Sequence, residues 1–318
     1  MFETPVRPFF LFLTKMRKTI GLFLLCLVVA SCGKSYEEQR RISRAEKARL
    51  AREDSLALKV GVVPTLDGLP LFVAKDRHFF DSLGVDVRLK AYDSHIDCDQ
   101  AMSEKKVEGG MTDVVRGERM RRKGLTLRYV AATNAYWQFI SNRLSRISEL
   151  KQMEDKMVAM TRFSATALLT DLALDSVRMK PETVFPVQIN DPNVRLHMLL
   201  NNEMDAMLAT EPQATAARLM KNAVHMDSRD KDLRLGVVAF REGALRDNHR
   251  TGQLKAFVKA YNMACDSINR YGLQHYADII KKYTKADDRT VAALPQLKFP
   301  VAAAPRQKDI AKANRGLR

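Results

Sequence analysis

The sequence is poor in the features that most often announce a chemistry. Four cysteines in 318 residues are too few for a disulfide-built scaffold. No Gly-x-Gly-x-x-Gly, Gly-x4-Gly-Lys-Ser/Thr, His-Glu-x-x-His, Gly-x-Ser-x-Gly or Cys-x-x-Cys occurs. The standard phosphate-loop, dinucleotide, zinc-protease, serine-hydrolase and redox signatures are therefore missing. Six histidines are scattered along the chain. No 20–50-residue repeat is present, which excludes a solenoid or propeller. Acidic side chains are also short, 37 against 53 basic ones.

What remains is an ordinary globular composition, 46% apolar and 28% charged, with a net charge of +16. The length suits two domains or one two-lobed body. A basic chain directs attention to nucleic acid, anionic membrane and small anions. The basic residues are dispersed and not interleaved with aromatics, so a nucleic-acid partner is not expected. The densest basic run, Arg116 to Lys123, reads as the solvated face of a surface helix.

The N-terminus has the grammar of an export signal. Arg17 and Lys18 precede an uncharged stretch over 19–29, too short to span a bilayer, followed by Ala30, Ser31 and Cys32. Val29-Ala30-Ser31-Cys32 resembles a bacterial lipobox, which implies that Cys32 carries lipid; the competing reading is ordinary cleavage beside an incidental cysteine. Residues 1–15 look surplus, so translation is expected to start at Met16. Residues 33–57 are rich in helix formers and nearly all polar, a helical tether. Residues 1–31 carry four basic and one acidic group and 32–57 seven and five, leaving +11 on the body. Cys98 and Cys265 either pair or stay as two buried thiols.

From residue 58 onward, apolar runs alternate with helical patterns. Strands are expected at 58–63, 85–91, 111–114, 125–132, 157–160, 184–189, 205–209 and 235–240. Helices are expected at 69–80, 97–106, 164–174, 192–200, 212–221 and from 243 to 282. Asp191-Pro192 and Glu211-Pro212 read as helix starts with proline at the first helical position. Leu254, Phe257, Val258, Tyr261 and Cys265 mark the apolar stripe of the long helix. Met153, Met157 and Met160 read as packing. The rhythm is that of an α/β sheet flanked by helices. His95, Asp97, Cys98 and Asp99 form the densest polar cluster, either a partial metal site or a loop with an aspartate helix cap.

An ordered series of motifs then resembles a known family. It comprises Val60-Gly61-Val62-Val63-Pro64, Asp67-Gly68-Leu69-Pro70-Leu71-Phe72-Val73-Ala74-Lys75, and Phe79-Phe80-Asp81-Ser82-Leu83-Gly84-Val85-Asp86-Val87. Ile147-Ser148-Glu149-Leu150-Lys151 and Met157-Val158-Ala159-Met160-Thr161-Arg162-Phe163-Ser164 follow. Asn202-Glu203-Met204-Asp205-Ala206-Met207-Leu208-Ala209-Thr210-Glu211-Pro212 comes last. Together they resemble ABC-transporter substrate-binding proteins of the nitrate/sulfonate/taurine and thiamine-pyrimidine group. The resemblance implies a type 2 periplasmic-binding-protein fold, two α/β lobes around a ligand cleft. Lobe 1 would be 58–133 with 238–318, and lobe 2 would be 134–237. Two departures stand out: Phe163 occupies the place of a usual glycine, and Asn202-Glu203 replaces a glycine before Asp205.

Ligands of open α/β sheets bind beyond the carboxyl ends of strands. That rule nominates Thr65, Asp67, Ser94 and Asp113 from lobe 1, and Arg162, Ser164, Thr166, Asn190 and Glu211 from lobe 2. Tyr136 and Trp137, at the crossing, would form an aromatic wall. Ser164 opens a helix whose N–H groups suit an anion, with Arg162 adding donors; alternatively Ser164 only caps its helix and Arg162 faces water.

The resemblance implies a lipid-anchored solute receptor of the bacterial envelope, facing the periplasm or cell surface. It would be a monomer that binds a small anionic or flat heterocyclic ligand. Its partners would be an ABC permease and ATPase, with the membrane reached through Cys32. No catalytic residues, metal or cofactor are expected. Two alternatives stand beside it: a sensory or interaction lipoprotein on the same fold, and an enzyme of the pyrimidine-synthase or menaquinone-pathway type.

Overall fold

The computed structural model describes residues 44–317. The export signal, Met16, Cys26 and Cys32 lie outside the described residues. The chain divides into two units, one ending at Leu56 and one beginning at Ala57. The described part of the first is helix α1 (Arg44–Leu56), polar on all sides, with Leu50 and Leu56 exposed and an Arg49–Glu53 ion pair one turn apart. Among the described residues, no helix is long and apolar enough to cross a membrane.

The second unit holds two five-stranded sheets. The chain first lays down β1 (Leu58–Val62), α2 (Leu69–Asp76), α3 (Phe79–Ser82), β2 (Val87–Ala91), α4 (His95–Ser103), β3 (Gly109–Asp113), α5 (Val114–Arg122) and β4 (Leu127–Ala132). It then crosses to build β5 (Gln138–Ser141), β6 (Met157–Met160), α6 (Ala165–Ser176), β7 (Phe185–Gln188), α7 (Pro192–Leu200), β8 (Ala206–Ala209), α8 (Gln213–Leu219) and β9 (Ala223–Asp227). It returns as β10 (Gly236–Arg241) and ends in α9 (Asn248–Tyr271), α10 (Ala277–Thr284), α11 (Asp288–Ala292) and α12 (Gln307–Arg315).

The sheets run β2-β1-β3-β10-β4 and β7-β6-β8-β5-β9. Each has three parallel strands, joined by crossover helices as parallel pairing requires. The strand that enters each sheet after a crossing, β5 or β10, runs antiparallel to both neighbours. Two crossings, before β5 and before β10, thus tie together two topologically equivalent layers.

Local chemistry accounts for most boundaries. Ser94, Asp113, Ser164, Asp191 and Asp247 each cap the helix that follows them, accepting from a backbone N–H two or three residues on. The patterned helix over 69–80 is broken into α2 and α3 at His78, which takes a left-handed conformation. Pro212 sits before α8, on a cis peptide bond, and the helix begins at Gln213. Strands β5 and β9 and helix α12 were not expected from the sequence. Met153 and Met160 are buried, but Met157 is 39% exposed at the start of β6.

The stripe on α9 seats Phe257 between Phe80, stacked at 5.6 Å, and Phe240, edge-on at 5.1 Å. Full burial of such a ring is worth about 2–3 kcal/mol. A second cluster is shared by the layers: Val114 and Val115 of α5 pack with Leu168 and Leu169 of α6 and Ala313 of α12. Cys98 and Cys265 are free and buried. The Cys98 thiol fills the space above the paired glycines Gly61 and Gly110, where any Cβ would strike its sulfur. Burial pushes its pKa well up.

Candidate functional site

Between the sheets lies a cavity of about 30 Å³ whose walls come from both layers. Thr65 follows β1, His95 opens α4, and Asp113 and Arg116 begin α5. Trp137 comes from the first crossing, Thr161, Ser164 and Thr166 from the β6–α6 junction, Asn190 and Arg195 from the start of α7, and Thr210 from the end of β8. Direct contacts hold the layers together beside it. The Leu66 N–H donates to the Glu211 carbonyl at 2.8 Å, and Gln213 Nε2 donates to the Pro64 carbonyl at 3.0 Å.

Arg195 is 5% exposed and, among the described residues, makes no ion pair with a carboxylate. Its Nη1 donates to the Leu208 carbonyl at 2.7 Å, Nη2 to the Ile189 carbonyl at 2.7 Å and Thr161 Oγ1 at 3.1 Å, and Nε to the Ile189 carbonyl at 3.2 Å. A guanidinium has five N–H groups, so one on Nη1 is left without a partner among the described residues. Burial lowers its pKa to about 10, partly offset by Asp191, so it stays cationic at neutral pH. A buried charge without a counter-ion is costly to keep.

Arg116 is buried too, but paired: Nη2 and Nε reach Asp99 Oδ2 at 2.5 and 2.6 Å. The expectation of a solvated face therefore fails at Arg116, while Arg121, Arg122 and Lys123 are exposed. Burial, with the charges of Arg116 and Arg195, drives the His95 pKa down to about 3, so its imidazole is neutral. Asp113 accepts from the Arg116 N–H at 3.0 Å, and its carboxylate also faces the Ala165 N–H at the start of α6. Burial pushes Asp113 up to about 6 against the opposing pull of Arg116.

Of the eleven residues nominated from sequence, Thr65, Asp113, Trp137, Ser164, Thr166 and Asn190 line the cavity. The other five lie elsewhere. Arg162 is exposed and belongs to an outer groove. Ser164 is satisfied as a cap, accepting from the Thr166 N–H and donating to the Thr161 carbonyl. Tyr136 turns away from the cavity: its ring lies under Arg229 at 3.9 Å, and its hydroxyl donates to Glu211 at 2.8 Å. Glu211 is a buried hub that also accepts from Arg218 and the Thr215 N–H. Asp67 accepts from Thr65 and Thr133, and burial raises its pKa. Ser94 bonds Asp97 and leaves the cavity wall to His95.

The His95 to Asp99 cluster does not converge. His95 faces the cavity, Asp97 the Ser94 hydroxyl, Cys98 the glycine pair and Asp99 the Arg116 guanidinium. Among the described residues, no three or more potential metal ligands of this kind come together.

Two helix-flanked sheets with doubled crossings are the architecture of periplasmic binding proteins, and solved structures share it. The ligand-binding component of an ABC-type import system from Staphylococcus aureus, with zinc bound, superposes with a TM-score of 0.70 at 16% identity, covering 82% of this chain and 90% of that one. The alkanesulfonate-binding protein of Xanthomonas axonopodis, bound to MOPS, gives 0.68 at 14% identity over 82% and 91%. The nitrate-binding protein of Synechocystis gives 0.64 at 15% over 74% and 68%. No curated protein sequence matches the chain. The NMT1/THI5-like family model matches residues 66–269, and the chain belongs to that family.

Proposed function

We propose that this protein is the solute-binding component of an ABC importer, capturing a small anion in the cavity between its sheets. The observation that carries this reading is Arg195, a buried guanidinium on the cavity wall that, among the described residues, has no carboxylate ion pair and one N–H to spare. An anion would supply the missing counter-charge. A flat heterocycle is less well served, because of the two aromatics nominated at the crossing Trp137 lines the cavity and Tyr136 does not. Two of the three solved proteins named above bind an alkanesulfonate or nitrate by name, which supports an anion, while the third holds zinc.

The lobes are proposed as 58–133 with 238–318 and 134–237, hinged at the two crossings. Cys32 would carry the lipid, α1 would belong to the tether, and the body would face the periplasm or cell surface as a monomer. Binding would be stoichiometric, without turnover. A sensory or interaction role on the same fold is the second reading, favoured by the cavity's small volume.

Native mass spectrometry of the untagged protein, followed by thermal shift with nitrate, sulfate, phosphate and taurine, tests the proposal. One solute at a hundredfold excess over its Kd should stabilise by about 2.7 kcal/mol. Arg195→Met should weaken that solute about tenfold or more. Absence of both a co-purified molecule and any shift sinks the importer reading.

A further inference from the structure

Phe163 combines three features that do not belong together in a surface loop. It has a φ of 54°, in the left-handed region that disfavours a bulky side chain. Its side chain is half exposed, at 50%, so burial does little to offset that conformation. And its ring is held from the other layer: the Arg119 guanidinium of α5 stacks over it at 3.9 Å. Arg119 makes no ion pair among the described residues, which leaves this stack as its defined contact.

The pair sits where two spaces meet. On the inner side, Thr161 and Ser164 line the cavity. On the outer side, an open groove of about 260 Å³ is lined by Val115, Met160, Phe163 and Leu168, and by Ser164 again. Residues 161–164 are thus the partition between cavity and groove. The same two elements approach each other on the cavity side, where Asp113 at the head of α5 faces the Ala165 N–H of α6.

We propose that Phe163 and Arg119 form a gate: their stack clamps the 161–164 partition shut, and breaking it opens the cavity to the outer groove for solute exchange. The left-handed backbone presents the ring outward to Arg119, and loss of the stack leaves a conformation with little to hold it. This inference rests on reading the cavity as a solute site, but its test needs no solute.

Trp137 is the only tryptophan, is 5% exposed and lines the cavity, so its quenching by acrylamide measures access through the partition. Phe163→Gly and Arg119→Gln should each raise the quenching constant about threefold or more, whereas Phe163→Tyr, which keeps a ring, should match the native protein. Glycine accepts the positive φ, so Phe163→Gly should keep the native Tm or exceed it. Unchanged quenching in a folded Phe163→Gly protein overturns the gate. So does a rise that comes only with a fall in Tm, because it assigns the pair to packing. If solutes bind but quenching does not respond, the gate alone fails; if quenching responds but no solute binds, the receptor reading alone fails.

Discussion

Thr133 Oγ1 donates a 2.8 Å hydrogen bond to Asp67 Oδ2, tying the loop after β1 to the first crossing between the sheets. Gly236, which opens β10 after the second crossing, passes so close that a Cβ there would collide with that same threonine oxygen and with Ala135. Both crossings therefore share one contact point. Gly236→Ala should destabilise the protein by about 2 kcal/mol or more, because the Thr133 hydroxyl and the Ala135 methyl must give way. Urea denaturation checks this; an unchanged midpoint would show that the crossings can shift freely.

Asp113 should make both stability and solute affinity pH-dependent. Its folded pKa is about 6 against an ordinary 3.8. The folded state therefore holds a proton that the unfolded chain sheds between these values. The stabilisation is full below pH 3.8 and is lost as pH rises through 6. Asp113→Asn keeps the cap on α5 and should be more stable than the native protein at pH 7.5, with the gap narrowing as pH falls through 6 and closing towards 3.8. From pH 7.5 to 5.5 Arg195, at about 10, stays cationic and His95, at about 3, stays neutral. Anion affinity should then rise on acidification from pH 7.5 to 5.5 in the native protein and stay flat in Asp113→Asn. Titration calorimetry at the two pH values decides it.

Tyr136 and Trp137 are adjacent in sequence but should separate cleanly in function. Tyr136→Phe removes a hydrogen bond to the buried Glu211 carboxylate and should cost about 1.5–3 kcal/mol of stability. It should leave solute affinity unchanged, since Tyr136 is off the cavity. Trp137→Leu alters a cavity wall and should change affinity. A solute dissociation constant that moves in Tyr136→Phe would contradict this placement.

The C-terminal helix α12 depends on one buried carboxylate. Asp309 is fully buried and accepts from Arg306 at 2.7 and 2.9 Å, while Arg306 also reaches Asp232 just before β10. Asp309→Ala should cost about 2–3 kcal/mol, since the Arg306 clamp loses its main acceptor. Hydrogen exchange over 307–315 should accelerate selectively. Uniform exchange across the body would show that α12 is not separately anchored.

Much of the layered fold was legible because its signals are local. Asp191-Pro192 starts α7 where expected, Ser164 caps α6, and alternation or apolar runs mark eight of the strands. Strands β5 and β9 escaped because their sequences, Gln138-Phe139-Ile140-Ser141 and Ala223-Val224-His225-Met226-Asp227, are short and mixed in polarity. They become strands by pairing with one another, and β5 also pairs with β8. At the cavity, the rule that ligands meet strand ends led to loops that line it but not to all of the side chains on its wall.

The sequence by itself determined the α/β rhythm, the family, the capped helix starts and the polar stretch ahead of the body, since each depends on neighbouring residues or ordered motifs. Only the tertiary structure decided the charges. Arg195 reads as a polar position on a helix until its side chain is seen reaching the Ile189 and Leu208 carbonyls. Arg116 reads as part of a basic run until Asp99, seventeen positions away, is brought against it. Burial and counter-ions are properties of packed surfaces brought together from distant parts of the chain, so they, and the cavity they shape, had no local signal to read.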